Sequence, residues 1–320
     1  MNTNFRIHLL EAKTGDAFIV DCGANRFIID GGTAAVAKQI KRFLTTEPSQ
    51  RLKSIFVTHT DRDHIGGILK LFTHNKETVA TDVPILINHP SSIPIKRNTN
   101  GRVTFQDGDN LKVFLEKNGY KTHQITSDKL LKFEEIEIQV LGPDPDLLDK
   151  LHFCWVKYAD PGLVTSSIIE VDCSIEPDEP SEDSSGDIIN SSSAAFIITY
   201  NKKRALFLSD TLPSDISKKI TTRQPFDVVK ISHHGSKYNT SIKLLEKLKC
   251  NKFIISTNGP RHYGHPHAET LVRIIRTCAS FGYSECNIYF NYSRVVNRIK
   301  IKNPPPKMKV NIIHAKVMSL

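Results

Sequence analysis

The segment Val57-Thr58-His59-Thr60-Asp61-Arg62-Asp63-His64-Ile65-Gly66-Gly67 constrains this chain more than any other feature. It follows a short apolar stretch, Ser54 to Thr58, that reads as a β-strand. It precedes a helical pattern from about Gly66 to Phe72. His59, Asp61, Asp63 and His64 place four candidate metal ligands within six residues. An extended spacing of two sends His59, Asp61 and Asp63 to one side and His64 to another. One loop can then serve two neighbouring cations, and Gly66-Gly67 lets the backbone turn tightly behind it. Imidazoles and carboxylates at this density point to a divalent-cation site rather than a solvated turn.

The rest of the chain repeats the same rhythm of strand followed by polar loop. Ile7 to Val20 and Asn25 to Asp30 read as two strands, with Gly15-Asp16 and Cys22-Gly23 as turn material. Asp30-Gly31-Gly32 closes the second, and a helix is expected from about Ala34 to Leu44. Pro84 to Ile87 and Phe133 to Leu141 are further strands, and Leu111 to Asn118 a short helix. Ala194 to Tyr200 and Arg204 to Leu208 form a hairpin that ends in Ser209-Asp210. Phe226 to Ile231 runs into Ser232-His233-His234-Gly235-Ser236, with a helix from about Ser241 to Leu248. Phe253 to Ser256 precedes Tyr263-Gly264-His265-Pro266-His267, and Pro266 suits the first turn of a helix reaching about Ala279. In layered α/β folds such post-strand loops converge on one sheet edge.

Six of these segments, in order, resemble the motifs of the metallo-β-lactamase superfamily. His59 to His64 looks like its HxHxDH signature with Asp in place of the second His. That variant is similar to the hydrolase domain of ComEC-type DNA-uptake proteins. Thr14-Gly15-Asp16-Ala17 resembles the opening GDA turn, and Asp30-Gly31-Gly32 the early Asp-Gly motif. Asn190 with Ser193 resembles the NxxS segment, and Phe207-Leu208-Ser209-Asp210 the strand that ends in the bridging Asp. Ser232 to Ser236 and Tyr263 to His267 resemble the HHGS and GHP motifs. The resemblance runs from about Phe5 to Leu271.

The resemblance implies a four-layer αββα fold, two mixed β-sheets face to face with helices outside. It implies a hydrolase domain over residues 1–282, with an acidic insertion at about 174–190 and a basic C-terminal extension at 283–320 packed on it. It implies two divalent cations. His59 and Asp61 would hold one, Asp63 and His64 the other, with Asp210 between them and His265 completing the second site. Asp30 would orient a ligand histidine from behind, with Asn190 and Ser193 in supporting positions. Many members carry a His in the third motif, where this chain has Asn190 to Ser193, so one site is poorer in ligands. The Asp61 carboxylate makes the site harder and shifts preference toward Mn²⁺, with Zn²⁺ also accommodated.

Two cations about 3.5–4 Å apart can hold a bridging hydroxide and stabilise the opposing oxyanion. A phosphodiester would also need a proton for its leaving oxygen. His234 is the first candidate for that task and His233 the second, beside Asp63 as a catalytic ligand. Lys237 and Arg261 are candidate phosphate contacts.

The charge distribution favours a polyanionic substrate. The chain holds 43 Lys and Arg against 34 Asp and Glu, yet no Lys or Arg falls between Tyr158 and Asn201. The remainder is therefore more basic than the mean, as for proteins that bind nucleic acid. The six cysteines form no CxxC pair, which argues against a cysteine zinc site or a disulfide framework. The N-terminal residues lack a secretory pattern and no run of about 18 apolar residues appears. The expectation is a cytoplasmic metal-dependent nuclease or phosphodiesterase acting on DNA or RNA, free or with a protein partner, and without a membrane. Two alternatives stand beside it: a small-molecule metallohydrolase for a thioester, lactone, lactam or cyclic nucleotide, and a non-catalytic partner protein with a degenerate site.

Overall fold

The structure, a computed structural model, describes residues 4–47, 49–90, 103–154, 168–180, 188–260 and 263–320. The chain begins with the antiparallel strands β1 (Phe5–Leu9), β2 (Phe18–Cys22) and β3 (Asn25–Ile29). Helices α1 (Ala37–Thr46), α2 (Arg62–His74) and α3 (Val103–Lys117) then alternate with β4 (Arg51–Val57), β5 (Ile85–Ile87) and β6 (Thr122–His123). A hairpin of β7 (Leu130–Phe133) and β8 (Ile136–Gly142) leads to α4 (Pro145–Cys154), β9 (Ile169–Asp172) and α5 (Ile188–Ser191). The second half runs β10 (Ala195–Tyr200), β11 (Lys203–Phe207), α6 (Pro213–Lys219), β12 (Gln224–Pro225), β13 (Val228–Lys230), α7 (Ile242–Leu245), β14 (Leu248–Lys249), β15 (Lys252–Ile255) and α8 (Ala268–Ser280). It closes with β16 (Glu285–Phe290), α9 (Ser293–Val296), β17 (Ile299–Lys302), β18 (Lys309–His314) and β19 (Val317–Ser319).

Two large mixed sheets result. One has the order β19-β1-β2-β3-β4-β5-β6, the other β18-β16-β15-β13-β11-β10-β8-β7. Period-two alternation assigns each strand's side chains to two different cores. Phe18 and Val20 on β2, Phe27 and Ile29 on β3, and Phe56 on β4 face inward. They meet Phe196 and Ile198 on β10, Phe207 on β11, Val228 on β13 and Ile254 on β15. Phe18 packs edge-on to Phe207 at 5.6 Å between ring centres, and Phe56 lies 4.9 Å from Phe196. The intervening residues Ile19, Ile28, Ile55 and Val57 face the other way, onto Ile40 of α1, Ile65, Ile68 and Leu71 of α2, and Leu111 of α3. Ile197, Leu206, Val229 and Phe253 likewise face Ile216 of α6, Leu244 of α7, and Leu271 and Ile275 of α8. The layers are helix, sheet, sheet, helix, as expected. Strands buried on both faces explain why these segments read as continuous apolar runs.

Several local expectations change. The stretch Ile7 to Val20 is two strands, β1 and β2, paired Leu9 to Phe18, with the Gly15-Asp16 turn between them. Helix α2 starts at Arg62, so Asp63 and His64 stand in its first turn rather than in extended spacing. Helix α3 starts at Val103, well before Leu111. Residues 285–319 supply β16 and β18 to one sheet and β19 to the other. Part of the acidic insertion is tied down: Arg273 donates to the carbonyl of Asp178, Arg276 to that of Ile175, and Glu179 accepts from the Ile242 amide. Residues 181–187 of that insertion lie outside the described residues. Among the described residues no helix is long and apolar enough to cross a membrane.

Strands β3, β4 and β5 are mutually parallel, and so are β11, β13, β15 and β16. Their C-terminal loops carry Asp30, His59 to Asp61, Ser209-Asp210, Ser232 to Ser236 and Ser256. The amide of Ala194 bonds to the Thr58 carbonyl at 2.9 Å, stitching the two sheets together where these loops meet.

Candidate metal centre

Asp210 is the focus of the site. Its Oδ2 lies 3.5 Å from His64 Nε2, 3.5 Å from His234 Nε2, 3.8 Å from His233 Nε2 and 3.9 Å from His59 Nε2. Four imidazoles thus surround one buried carboxylate oxygen at separations of 3.5 Å or more. Asp16, His64, Asp210 and His234 form the tightest group, with ligand atoms all within 4.8 Å of one another. All four are buried.

The backbone is distorted to present these side chains. Asp30, Ser209, His233 and His234 all have left-handed φ, at 55°, 47°, 45° and 55°. Non-glycine residues rarely adopt that region, and such strain concentrates at functional sites. Hydrogen bonds hold it in place. Ser209 Oγ donates to the Ala194 carbonyl, the Asp210 amide to Ser193 Oγ at 3.0 Å, and the His233 amide to the Ser209 carbonyl at 2.8 Å. The next residue, Gly235, has φ +85°, and a Cβ there would stand 2.8 Å from Pro266 Cβ. Gly15 backs onto the His/Asp turn so closely that any side chain would collide with the Asp63 carbonyl.

The ring orientations are fixed from behind. Asp30 accepts from Thr58 N at 2.8 Å, from Thr58 Oγ1 at 2.7 Å, and from His64 Nδ1 at 2.8 Å. His234 Nδ1 faces the Ser256 carbonyl at 3.0 Å, and a carbonyl only accepts, so that nitrogen carries the proton. His64 Nδ1 is a donor for the same reason when Asp30 is ionised. The two remaining nitrogens, His64 Nε2 and His234 Nε2, then face each other at 3.3 Å. Two bare imidazole nitrogens at that distance require a proton or a cation between them.

Protonation follows the same geometry. Burial alone would push the Asp210 carboxyl up, but His234, His64 and His233 outweigh it and hold the group well below its usual range. Burial opposes a charged His64, yet Asp210 and Asp30 raise it well above its usual value. His234 is pushed up to about 9 against its own burial by Asp210 and Asp16. His59 is driven well below the usual histidine range by burial and by the His64 charge. His265 is driven the same way by burial, His233, His234 and His267. Burial raises the Asp30 carboxyl, partly offset by His64 and Thr58.

These residues fit a divalent cation. His59 Nε2 is buried without a hydrogen-bond partner, 3.8 Å from Asp61 Oδ2 and 3.9 Å from Asp210 Oδ2. A buried polar atom left unsatisfied is costly, and a metal ligand is a common resolution. The 3.3 Å gap between the His64 and His234 nitrogens suits two donors sharing one cation at bond lengths of about 2.0–2.1 Å. A divalent ion would displace the protons these rings otherwise hold.

The structure brings His59, Asp61, His64, Asp210, His233 and His234 together, with Asp30 and Ser193 behind them. Asp63 and His265 stand beside this group rather than in its tightest part. Asp63 acts electrostatically on His233, and the His265 ring centre lies 5.4 Å from that of His233. Asn190 contributes its carbonyl to the Ser193 amide. Lys237 donates to Glu269 at 3.0 Å, and Arg261 lies outside the described residues.

Asp16 and Lys230 were missed as individual residues. Lys230 is only 1% exposed and bridges Asp16 to the Ser209 carbonyl, 3.9 Å from Asp210 Oδ1. Burial would raise the Asp16 carboxyl, but Lys230 and His234 pull it far below its usual range. The visible signal was a lysine inside the buried run Val228-Val229-Lys230-Ile231, where an unpaired charge would not be tolerated.

The αββα layering, with this His/Asp cluster at the shared C-terminal edge of the two sheets, settles the architecture. This is a metallo-β-lactamase fold. No family model matches this chain. It is 21% identical over 303 residues to ComE operon protein 3 of Bacillus subtilis (strain 168). That match covers 87% of this chain and 32% of the relative, so the chain spans about a third of that protein's length. Among solved structures, it is similar to the metallo-beta-lactamase fold protein YhfI from Bacillus subtilis, at 12% identity and TM-score 0.49, covering 99% and 100% of the two chains. It is similar to a diphosphatase from the PhnP family at 12% identity and TM-score 0.46, covering 99% and 97%. Zn(2+)-bound PqqB from Methylobacterium extorquens has 10% identity and TM-score 0.46, covering 98% and 99%.

Proposed function

We propose that this chain is a metal-dependent phosphodiesterase acting on nucleic acid, with two divalent cations, Mn²⁺ or Zn²⁺, at the Asp210 cluster. The observation that carries the metal-dependent reading is the convergence of four imidazoles on Asp210 Oδ2 around the unpartnered His59 Nε2. The nucleic-acid reading is supported by the similarity to ComE operon protein 3 and by the net charge of +9 on a chain with no Lys or Arg between Tyr158 and Asn201, which leaves the remainder more basic still.

His64, His234 and Asp210 would hold one cation, and His59 with Asp61 the neighbouring one, with Asp210 shared. Divalent cations there would supply Lewis acidity for activating water and for neutralising the leaving oxygen. Asp30 holds the His64 ring in the tautomer that leaves Nε2 bare. His234 is the first sequence candidate for the proton donor, but both its nitrogens are engaged inside the cluster, and that task passes to His233. The Asn239 amide donates to the carbonyls of Asp210 and Thr211, so its oxygen faces His233 Nδ1 at 3.1 Å and makes that nitrogen the donor. His233 Nε2 is then free to take up a proton and return it to the leaving oxygen, and its side chain is 26% exposed.

The test is cleavage of labelled single- and double-stranded DNA and RNA by metal-stripped protein resupplied with Mn²⁺, Zn²⁺ or Mg²⁺. Cleavage should return with metal and be lost in His64→Ala. Identical behaviour of His64→Ala and wild type, or hydrolysis of a thioester or lactone with every nucleic acid left intact, would overturn the reading.

A further inference from the structure

Seven large apolar or aromatic side chains are exposed among the described residues, and the aromatic ones are Tyr238 and Tyr263, at 51% and 41%. Both lie on the motif loops of the metal centre, Tyr238 two residues after Ser236 and Tyr263 two before His265. A line of rings connects them. Tyr238 lies edge-on to His267 at 6.2 Å between centres, His267 to His265 at 5.2 Å, and Tyr263 stacks on His265 at 5.9 Å with 21° between planes. From His265 the line turns inward to His233 at 5.4 Å, and His233 faces Asp210. A row of rings thus leads from solvent to the metal centre, with an exposed tyrosine at each outer end.

We infer that Tyr238 and Tyr263 form a base-stacking platform and that the substrate is a single-stranded polynucleotide whose bases lie on these rings while its backbone reaches the cluster. This rests on the phosphodiesterase reading above. Every base offers a π-face, so exposed aromatic rings beside a reactive centre bind single strands with little sequence preference. A duplex hides those faces within its own stack. Lys237 Nζ stands 5.5 Å from the Tyr238 ring centre, but its charge is shared with Glu269. Among the described residues of this rim the rings, more than the shared charge of Lys237, are therefore what it offers a ligand.

The test is fluorescence anisotropy with the full-length, metal-loaded protein and cleavage-resistant phosphorothioate strands. The probes are a thymidine oligomer, a uridine oligomer, an abasic strand of equal length and a duplex. Tyr238→Ala and Tyr263→Ala should each weaken binding of the base-bearing single strands about fivefold to a hundredfold. Tyr→Phe should restore it, since the ring and not the hydroxyl carries the contact. The abasic strand should bind weakly and alike to all variants. Tighter binding of the thymidine or the uridine oligomer assigns the platform to DNA or to RNA. Wild-type affinity in both alanine variants, or equal affinity for abasic, duplex and base-bearing strands, overturns the platform. Hydrolysis of bis(p-nitrophenyl) phosphate, measured in parallel, reports the phosphodiesterase reading separately. Its loss with the tyrosine effect intact sinks only that reading, and its persistence with no tyrosine effect sinks only the platform.

Discussion

Asp210→Asn is expected to abolish metal-dependent hydrolysis, with turnover reduced on the order of 10³-fold or more. Metal-supplied stabilisation of several kcal/mol would be lost, and each 1.4 kcal/mol is about a factor of ten in rate. The substitution keeps the shape of the side chain and the Ser193 Oγ bond to its amide, but removes the charge on which four imidazoles converge. Calorimetric titration with Mn²⁺ should show weaker binding in the same variant. Unchanged affinity would mean that Asp210 is not a ligand.

The second large effect concerns stability and lies on the far side of the first sheet. Asp21 is fully buried and accepts from Arg26 Nε at 2.6 Å, Arg26 Nη2 at 3.0 Å, His8 Nε2 at 2.9 Å and Arg6 Nη2 at 3.2 Å. Removing one partner of a buried ion pair costs about 3–5 kcal/mol, because the other charge is left uncompensated. Asp21→Asn should lower unfolding free energy toward the lower end of that range in urea titrations, since Arg26, at 1% exposure, keeps only its pair with Glu47 and its bond to the Phe43 carbonyl. The pH dependence has a definite sign. Burial alone would raise the Asp21 carboxyl, but the bonds from His8 and Arg26 outweigh it and hold the group below its ordinary 3.8. A carboxyl depressed in the folded state contributes stability that is complete above its unfolded value and fades as pH falls through the folded one. Wild type should therefore lose stability below a pH of about 4, and Asp21→Asn should lose less over the same range. Parallel slopes for the two proteins would assign the acid sensitivity elsewhere.

The layering and the edge that carries the site were legible because each motif follows an apolar run. Phe196, Ile198, Phe207 and Ile254 alternate with residues that also prove buried, so the strands announced themselves without revealing which face met which sheet. The site was legible in its parts and less so in its arrangement. His234 looked like a group that meets substrate, yet the left-handed turn at His233-His234 swings its ring inward to Ser256 and His64. Spacing alone does not encode that turn. Asp63 and His64 read as extended residues because the Gly66-Gly67 pair drew the helix start forward, although Asp61 at the cap position and acidic Asp63 in the first turn both suit a helix beginning at Arg62. Asp16 and Lys230 meet only when the first turn of one sheet folds against the middle strand of the other, a contact between residues far apart in the chain. Pro266, expected in the first turn of a helix, instead precedes His267, the cap residue of α8, so it lies just outside the helix; proline opens α4 and α6, at Pro145 and Pro213.

Divalent cations are proposed to lie among the His64, His234 and Asp210 side chains, with His59 and Asp61 at the neighbouring position. Anomalous diffraction from crystals grown with Mn²⁺ tests this placement most directly. Anomalous peaks are expected within bonding distance of His64 Nε2, His234 Nε2 and Asp210 Oδ2, with a neighbouring peak at His59 Nε2. Saturating Mn²⁺ that leaves no peak at these atoms, with His64 Nε2 still facing His234 Nε2 across an unbridged gap, would contradict it.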